Sequence, residues 1–137
     1  MSKITLSIIS LALLAPAPAL AQSGSFPLCS YGKRSQCVVD GDTFWHGGEK
    51  YRLKDIDAPE IAGGAKCQHE YQTGVAAAYK LQAMLESGIV SMTPFGQDRY
   101  KRKLVAVLTN QGDISKALID AKLAQPYGRG ASRASWC

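Results

Sequence analysis

The chain has 137 residues, of which 46% are hydrophobic and 20% are charged. This length allows one domain or two small ones, and this composition is typical of a globular protein and excludes a disordered one. A formal net charge of +5 at pH 7 excludes a polycationic tail and permits an anionic partner without requiring one.

The first 21 residues have the three parts of a secretory signal peptide. One positive charge, Lys3, precedes an apolar run over residues 4–15, and the Ala-Leu-Ala sequence at 19–21 has the small-x-small form that signal peptidase cleaves. The apolar run is shorter than the roughly 17–25 residues that span a bilayer. We therefore predict cleavage after residue 21 and a mature chain, residues 22–137, that is secreted or periplasmic and has no membrane partner.

Four cysteines lie in the mature chain, and an even number in an oxidising compartment indicates disulfide bonds. Four cysteines can pair in three ways. We favour a local bond between Cys29 and Cys37 and a long-range bond between Cys67 and Cys137. The second bond closes a loop of about 70 residues and would stabilise the fold by about 4 kcal/mol. Zinc is the competing use of cysteines, but the chain contains no Cys-x-x-Cys pair.

The first half of the mature chain predicts a β-hairpin. Residues 22–36 are rich in Ser, Gly and Pro and predict an irregular lead-in. The segment 37–46 is rich in β-branched and aromatic residues and predicts one strand, and Gly47-Gly48 predicts the tight turn after it. The return strand is expected over residues 49–56, before Pro59.

The second half predicts two helices and two further strands. Apolar residues at intervals of three and four predict a helix from about Gln68 to Ser87, which Gly88 ends. Strands are expected over 89–93 and 103–109, and a second helix starts near Ile114. The apolar stripe of the first helix consists of Tyr71, Val75, Ala78, Leu81 and Leu85. This order of elements favours an α+β fold with a mainly antiparallel sheet, which suits a small barrel.

Acidic residues are concentrated on the two strands of the predicted hairpin. The period of two in a strand places Asp40 and Asp42 on one face, and two further carboxylates, Asp57 and Glu60, follow the return strand. Crowded carboxylates repel one another and need a cation or basic partners. Oxygen donors without Cys or His suit Ca²⁺ or Mg²⁺.

Basic residues accompany this acidic cluster at Arg52 and in the sequence Asp-Arg-Tyr-Lys-Arg at 98–102. Carboxylates combined with separate arginines are a recurring arrangement for phosphodiester chemistry. Each motif alone has a simpler explanation, because Asp-Gly-Asp favours an ordinary turn and a basic run favours a solvated face. Arg52 and Asp57 would point to opposite faces of an ideal strand, so we expect a bulge or turn near Asp55 if they share one site.

In this order the motifs resemble those of the thermonuclease family, the staphylococcal-nuclease-like secreted hydrolases of DNA and RNA. The resemblance extends from about Val38 to Tyr127 and rests on Val-Asp-Gly-Asp-Thr at 39–43, Arg-Leu at 52–53, Asp-Ala-Pro-Glu at 57–60 and the motif at 98–102. It implies a domain over residues 37–137 that forms a five-stranded antiparallel Greek-key β-barrel of OB-fold type with two to three helices. It also implies Ca²⁺-dependent cleavage of DNA and RNA, with single strands preferred, to 3′-phosphate products.

The resemblance implies a role for each matched residue. Asp42 and Asp57 would bind Ca²⁺ through their carboxylates, with the backbone carbonyl of Ala58 as a further ligand and Asp40 beside them. Glu60 would be the catalytic base or would orient the attacking water. The catalytic arginines that hold the scissile phosphate would be Arg52 and Arg102, and the substrate-binding residues would be Tyr100, Lys101 and Tyr127.

Two departures from the family pattern affect these expectations. Ala58 stands where Thr is common, which leaves a backbone ligand in place but removes a hydroxyl group. Lys101 replaces a usual Gly before Arg102, so a positive φ there would be strained and could displace Arg102.

A different class of function is a non-catalytic OB-fold module that binds nucleic acid or a protein. The loss of Glu60, Arg52 or Arg102 would mark such a module, and all three are present. A third possibility is a secreted disulfide-bonded protein that binds Ca²⁺ for structural reasons only. We expect a monomer in each case.

Overall fold

The computed structural model describes residues 15, 24–128, 130, 132–133 and 135–137. The predicted signal peptide therefore lies, except for one residue, outside the described residues. None of the helices in the described part of the chain combines the length and the apolar character that crossing a membrane requires.

A curled sheet whose main path has five strands forms a half-barrel, with two helices packed against it. In chain order the strands are β1 (Cys37–Asp40), β2 (Thr43–His46), β3 (Glu49–Leu53), β4 (Ile56–Asp57), β5 (Ile89–Gln97), β6 (Lys103–Thr109), β7 (Gly112–Asp113) and β8 (Gln125–Pro126). The main sheet has the order β1-β2-β3-β6-β5, with β7 on β6, and a second sheet pairs β4 with β8. The α+β class is confirmed, and the pairing is antiparallel except between β3 and β6, which run parallel.

The segment 37–46, expected as a single strand, is broken into β1 and β2 by a turn at Gly41 and Asp42. A Cβ atom at Gly41 would lie 2.5 Å from the Cβ of Ala77 and 2.9 Å from that of Ala58. The chain can therefore turn against the first helix only because residue 41 has no side chain. The expectation that Asp40 and Asp42 share one strand face is wrong, because Asp42 lies in this turn.

The predicted return strand is also divided into two strands, which fits the odd spacing of Arg52 and Asp57. β3 ends at Leu53, and Asp55, with φ of 62°, turns the chain into β4. The expected turn near Asp55 is confirmed. Strand β5 is longer than expected and extends to Gln97, with a register shift between Pro94 and Gln97.

The helices follow the predicted periodicity closely. They are α1 (Gln68–Glu86) and α2 (Ile114–Asp120), with a short 3₁₀ turn at Ala62–Gly64. The Cys67 sulfur accepts the N–H of Glu70 at the start of α1, and Gly88 ends it with φ of 109°. The buried face of α1 consists of Glu70, Gly74, Ala77, Ala78, Leu81, Met84 and Leu85. Tyr71, which the predicted stripe included, is 43% exposed.

The core lies between the sheet and the two helices and includes the lead-in segment. Phe26 is 1% exposed, and its N–H donates to Glu86 at 2.8 Å. Its ring lies 6.5 Å from that of Phe44 in an edge-on arrangement. Both predicted disulfides, Cys29–Cys37 and Cys67–Cys137, are confirmed.

Candidate functional site

Arg52 is the centre of a buried charge network. It lies on β3 with only 8% of its surface exposed. Its Nη1 donates to the carbonyl oxygens of Ile56 (2.9 Å) and Leu53 (3.2 Å), so the turn after β3 wraps around the guanidinium. Its Nη2 lies 3.3 Å from Oδ2 of Asp42 and 3.5 Å from Oδ1 of Asp57. Two buried carboxylates therefore converge on one nitrogen atom.

Further hydrogen bonds hold the Asp42 side chain in place. Its Oδ2 accepts the N–H of Ala58 at 3.0 Å, which joins the turn after β1 to the end of β4. Its Oδ1 accepts the hydroxyl of Thr43 at 2.9 Å. Asp42 and Asp57 are 5% and 3% exposed. Burying charges at this level requires compensating partners, and Arg52 supplies a positive charge to both.

Asp40 lies next to these carboxylates and is affected by their charge. Its Oδ1 accepts the N–H of Asp42 at 3.1 Å. Burial, together with the negative charges of Asp42 and Glu60, raises the pKa of Asp40 to about 8. The Asp40 carboxyl group is therefore close enough to Asp42 and Glu60 for their charges to affect it.

Glu60 is paired with an arginine that the sequence motifs did not select. Nη2 of Arg133 lies 2.9 Å from Oε1 of Glu60 and 3.2 Å from Oδ1 of Asp57. Arg133 belongs to the C-terminal tail, four positions before Cys137. The predicted disulfide was the available indication, because it ties this tail to Cys67, seven positions after Glu60.

Arg102 is held by Asp98, another residue without an assigned role in the sequence analysis. Oδ1 of Asp98 accepts the N–H groups of Tyr100 (2.9 Å) and Arg102 (3.0 Å), and its Oδ2 accepts Nε of Arg102 at 2.7 Å. Burial alone would raise the pKa of Asp98, but the hydrogen bonds from Arg102 and Tyr100, together with the charge of Arg102, outweigh burial and lower it. Asp98 thus fixes the direction of the Arg102 side chain.

Lys101 has φ of 62°, the left-handed conformation that glycine adopts most easily. The strain considered for this position is therefore present. The Arg102 side chain nevertheless keeps its contacts with Asp98, and its guanidinium lies 5.4 Å from the centre of the Tyr100 ring.

One open cavity of about 840 Å³ brings half of the expected site residues together. Its wall includes Arg52, Glu60, Tyr100, Arg102 and Tyr127. Arg133 also lines it, with the basic residues Lys50, Lys54 and Arg99. Asp42 and Asp57 are not on the wall, but Arg52 connects them to it. Asp40, Ala58 and Lys101 are likewise not on the wall.

The donor atoms near Arg52 suit a hard cation. No group of three or more His, Cys, Asp or Glu side chains in the described part of the chain is arranged as a metal site. Two carboxylate oxygens converge nonetheless on Nη2 of Arg52, and the carboxyl group of Asp40 lies next to Asp42. An all-oxygen donor set of this kind fits Ca²⁺ or Mg²⁺.

Comparison with known proteins identifies the family of the chain. The family model described as staphylococcal nuclease homologue matches residues 50–134, more than half of the chain. The match includes Arg52, Glu60 and Arg102, and Asp40 and Asp42 precede it. No curated protein matches the chain significantly. By its sequence match and its fold, the chain belongs to the staphylococcal nuclease homologue family.

Proposed function

We propose that the protein is a secreted, Ca²⁺-dependent phosphodiesterase that hydrolyses DNA and RNA, preferably single-stranded, to 3′-phosphate products. The observation that supports this proposal most strongly is the shared cavity wall of Glu60, Arg52 and Arg102. A carboxylate and two guanidinium groups are what phosphodiester hydrolysis needs, since one accepts a proton and the others stabilise phosphate charge.

Asp42, Asp57 and the backbone carbonyl of Ala58 are the proposed ligands of Ca²⁺, with Asp40 beside them. Bound Ca²⁺ would supply positive charge that polarises the phosphate and lowers the pKa of a nearby water. Arg52 shares the oxygens of Asp42 and Asp57. Its charge therefore keeps the two carboxylates together.

The remaining chemistry belongs to the side chains of the cavity wall. Glu60 accepts a proton from the attacking water or orients that water toward phosphorus. Arg52 and Arg102 donate hydrogen bonds to the non-bridging phosphate oxygens and offset the charge that develops on them. The departing 5′ oxygen takes up a proton, which leaves the phosphate on the 3′ side.

The proposed substrate preference follows from the surroundings of these groups. Basic side chains line the cavity, which gives salt-sensitive attraction to phosphate without base specificity. Tyr100 and Tyr127 offer aromatic faces on the same wall for an unpaired base. Lys101, which is exposed, adds positive charge next to Tyr100.

The proposal also includes the location and the active unit. The two disulfides support an oxidising compartment, and the first 21 residues have the pattern of a cleaved signal peptide. We propose that the mature chain, residues 22–137, acts as a monomer through its domain over residues 37–137.

The test is hydrolysis of a fluorescent single-stranded DNA with Ca²⁺, and then with a chelator in excess. We expect the chelator to abolish cleavage, and Glu60→Ala and Arg102→Ala each to lower the rate at least about 10²-fold. Arg34→Ala and Asp120→Ala are matched controls, because both residues are exposed and outside the cavity wall. These two variants should retain the wild-type rate.

Other outcomes would assign the protein to a different class. Equal rates in wild type, Glu60→Ala and Arg102→Ala would remove the catalytic assignment. DNA binding without cleavage would indicate the non-catalytic module. Calcium binding with neither DNA binding nor cleavage would indicate a structural calcium site.

A further inference from the structure

The C-terminal tail, of which residues 128, 130, 132–133 and 135–137 are described, reaches the cavity although it follows the last helix and strand. Gly128, Gly130 and Arg133 all line the cavity wall. The end of the tail is bonded through Cys137 to Cys67, the residue that caps the start of α1. The tail is therefore attached at both ends, by β8 and by the disulfide.

Arg133 contacts two acidic residues, Glu60 and Asp57. One nitrogen atom, Nη2, lies 2.9 Å from Oε1 of Glu60 and 3.2 Å from Oδ1 of Asp57. The Arg133 side chain is 61% exposed, and that of Asp57 is 4% exposed. The guanidinium thus spans from a buried carboxylate to the one on the cavity wall.

The backbone, the disulfide and side-chain contacts together form a closed loop that includes the contact between Arg133 and Glu60. The segment from Glu60 to Cys67 is held by Glu70, whose carboxylate accepts the N–H groups of Glu60 (3.3 Å) and Lys66 (2.7 Å). The disulfide then leads to Cys137, and four positions back the Arg133 side chain returns to Glu60. Each link restricts where Arg133 can lie.

This restraint lowers the entropy cost of forming an exposed ion pair. Ordering two long side chains normally cancels most of the gain from a surface pair. Here the disulfide and β8 already restrain the backbone that carries Arg133, so less entropy remains to be lost. A charge-assisted bond to Oε1 fixes the orientation of the Glu60 carboxylate, and Oε2 is not part of that contact.

We propose that Arg133 is a positioning residue of the site, which orients the Glu60 carboxylate, and that the Cys67–Cys137 disulfide holds it there. This inference rests on the proposed nuclease function, in which Glu60 handles the attacking water. If the Glu60 carboxylate turns away from the water, the rate of cleavage falls. The affinity for substrate does not depend on that orientation.

The first experiment separates turnover from binding in Arg133→Gln. We expect kcat on single-stranded DNA to fall about 10- to 100-fold, the effect of misplacing a reacting group. Oligonucleotide affinity, measured with a chelator at about 0.2 M salt, should change by no more than about threefold, the effect of losing one of several charges. Arg133→Lys should recover part of kcat, because its ammonium can still donate one bond to Glu60.

The second experiment tests the disulfide with the double variant Cys67→Ser/Cys137→Ser. The hydroxyl that Cys67→Ser introduces can still accept the N–H of Glu70, so α1 retains its cap. We expect kcat to fall as in Arg133→Gln, and adding Arg133→Gln should cause no further loss, because the two changes break one unit. Cys29→Ser/Cys37→Ser is the matched control, and all variants are compared where circular dichroism shows them to be folded.

Each outcome bears on one claim. Wild-type kcat in Arg133→Gln, or weaker binding with unchanged kcat, would overturn the positioning role while the nuclease function stands. Wild-type kcat in Cys67→Ser/Cys137→Ser would overturn the role of the disulfide. A wild-type protein that cleaves nothing would overturn the proposed function, and this inference with it.

Discussion

Asp55 and Lys101 show how single residues with positive φ shape the site. Asp55 turns the chain between β3 and β4, so that Arg52 and Asp57 meet although their spacing would put them on opposite faces of one strand. This turn was predictable from the spacing on the condition that the two residues share one site. Lys101 has the same conformation. Whether its φ is positive could not be predicted from the sequence, because the loop depends on hydrogen bonds that the N–H groups of Tyr100 and Arg102 donate to the Asp98 carboxylate.

The hydrogen-bond partners of the Glu70 side chain could not be predicted from the local sequence pattern. It is 6% exposed at the start of α1, and its carboxylate accepts backbone N–H groups from Lys66 and Glu60. The hydrogen bond from Lys66 is the main reason that the pKa of Glu70 is lowered from its ordinary value of 4.5. This residue therefore connects helix α1 to the segment that carries Glu60.

The lowered pKa of Glu70 predicts a pH-dependent contribution to stability. Because the folded pKa lies below the ordinary value of 4.5, the contribution is complete above that pH and is lost as the pH falls through the folded pKa. Glu70→Gln should therefore lower the free energy of unfolding at pH 7, and the difference from wild type should shrink in acid. Urea unfolding at several pH values measures this, with Asp120→Asn as an exposed control. A difference that is constant with pH would contradict it.

At the scale of elements, helix α1 sets the position of the segment with Glu60 through a close backbone approach. A Cβ atom at Gly74 would lie 2.6 Å from the carbonyl oxygen of Glu60 and 2.9 Å from that of Pro59. Backbone atoms cannot move aside as a flexible side chain can. A glycine that looks unfavourable inside a helix is thus required by packing, as at Gly41.

Gly74→Ala should destabilise the protein, although this change normally stabilises a helix by about 1 kcal/mol. We expect a loss of about 1–3 kcal/mol from overpacking, together with reduced DNA cleavage, because the Glu60 segment must move. Thermal and urea unfolding measure the first effect. Thr73→Ala, one position earlier in α1, is the control and should lack both effects. An increase in stability for Gly74→Ala would show that the segment yields without cost.

At the scale of the whole molecule, two disulfides tie the lead-in segment and the C-terminal tail to the same core. Cys29–Cys37 closes a loop over a sequence separation of 8, and Cys67–Cys137 closes one over 70. Two disulfides were expected from an even cysteine count and an export signal, and the pairing favoured among the three possible ones is present. The sequence did not predict the consequence of the longer bond, which is that the tail brings Arg133 to the cavity.

The two loop lengths predict unequal losses of stability. Replacing Cys67 and Cys137 by Ser should lower the free energy of unfolding by about 4 kcal/mol, and replacing Cys29 and Cys37 by about 2.5 kcal/mol, because the longer loop restricts the unfolded chain more. Urea unfolding of the two double variants beside wild type provides the measurement. Equal losses would mean that loop closure is not the main source of stabilisation.

Local patterns in the sequence determined the elements and the chemical groups of this protein. Helical periodicity located α1 and α2, turn residues located the Gly47-Gly48 hairpin, and the charged motifs identified the groups now found around Arg52. Tertiary structure decided four other features: the parallel pairing of β3 with β6, the break at Gly41, the ion pair between Asp98 and Arg102, and the placement of Arg133. Steric fit and ion pairing between elements determine these features, and such contacts leave no periodic trace in the chain.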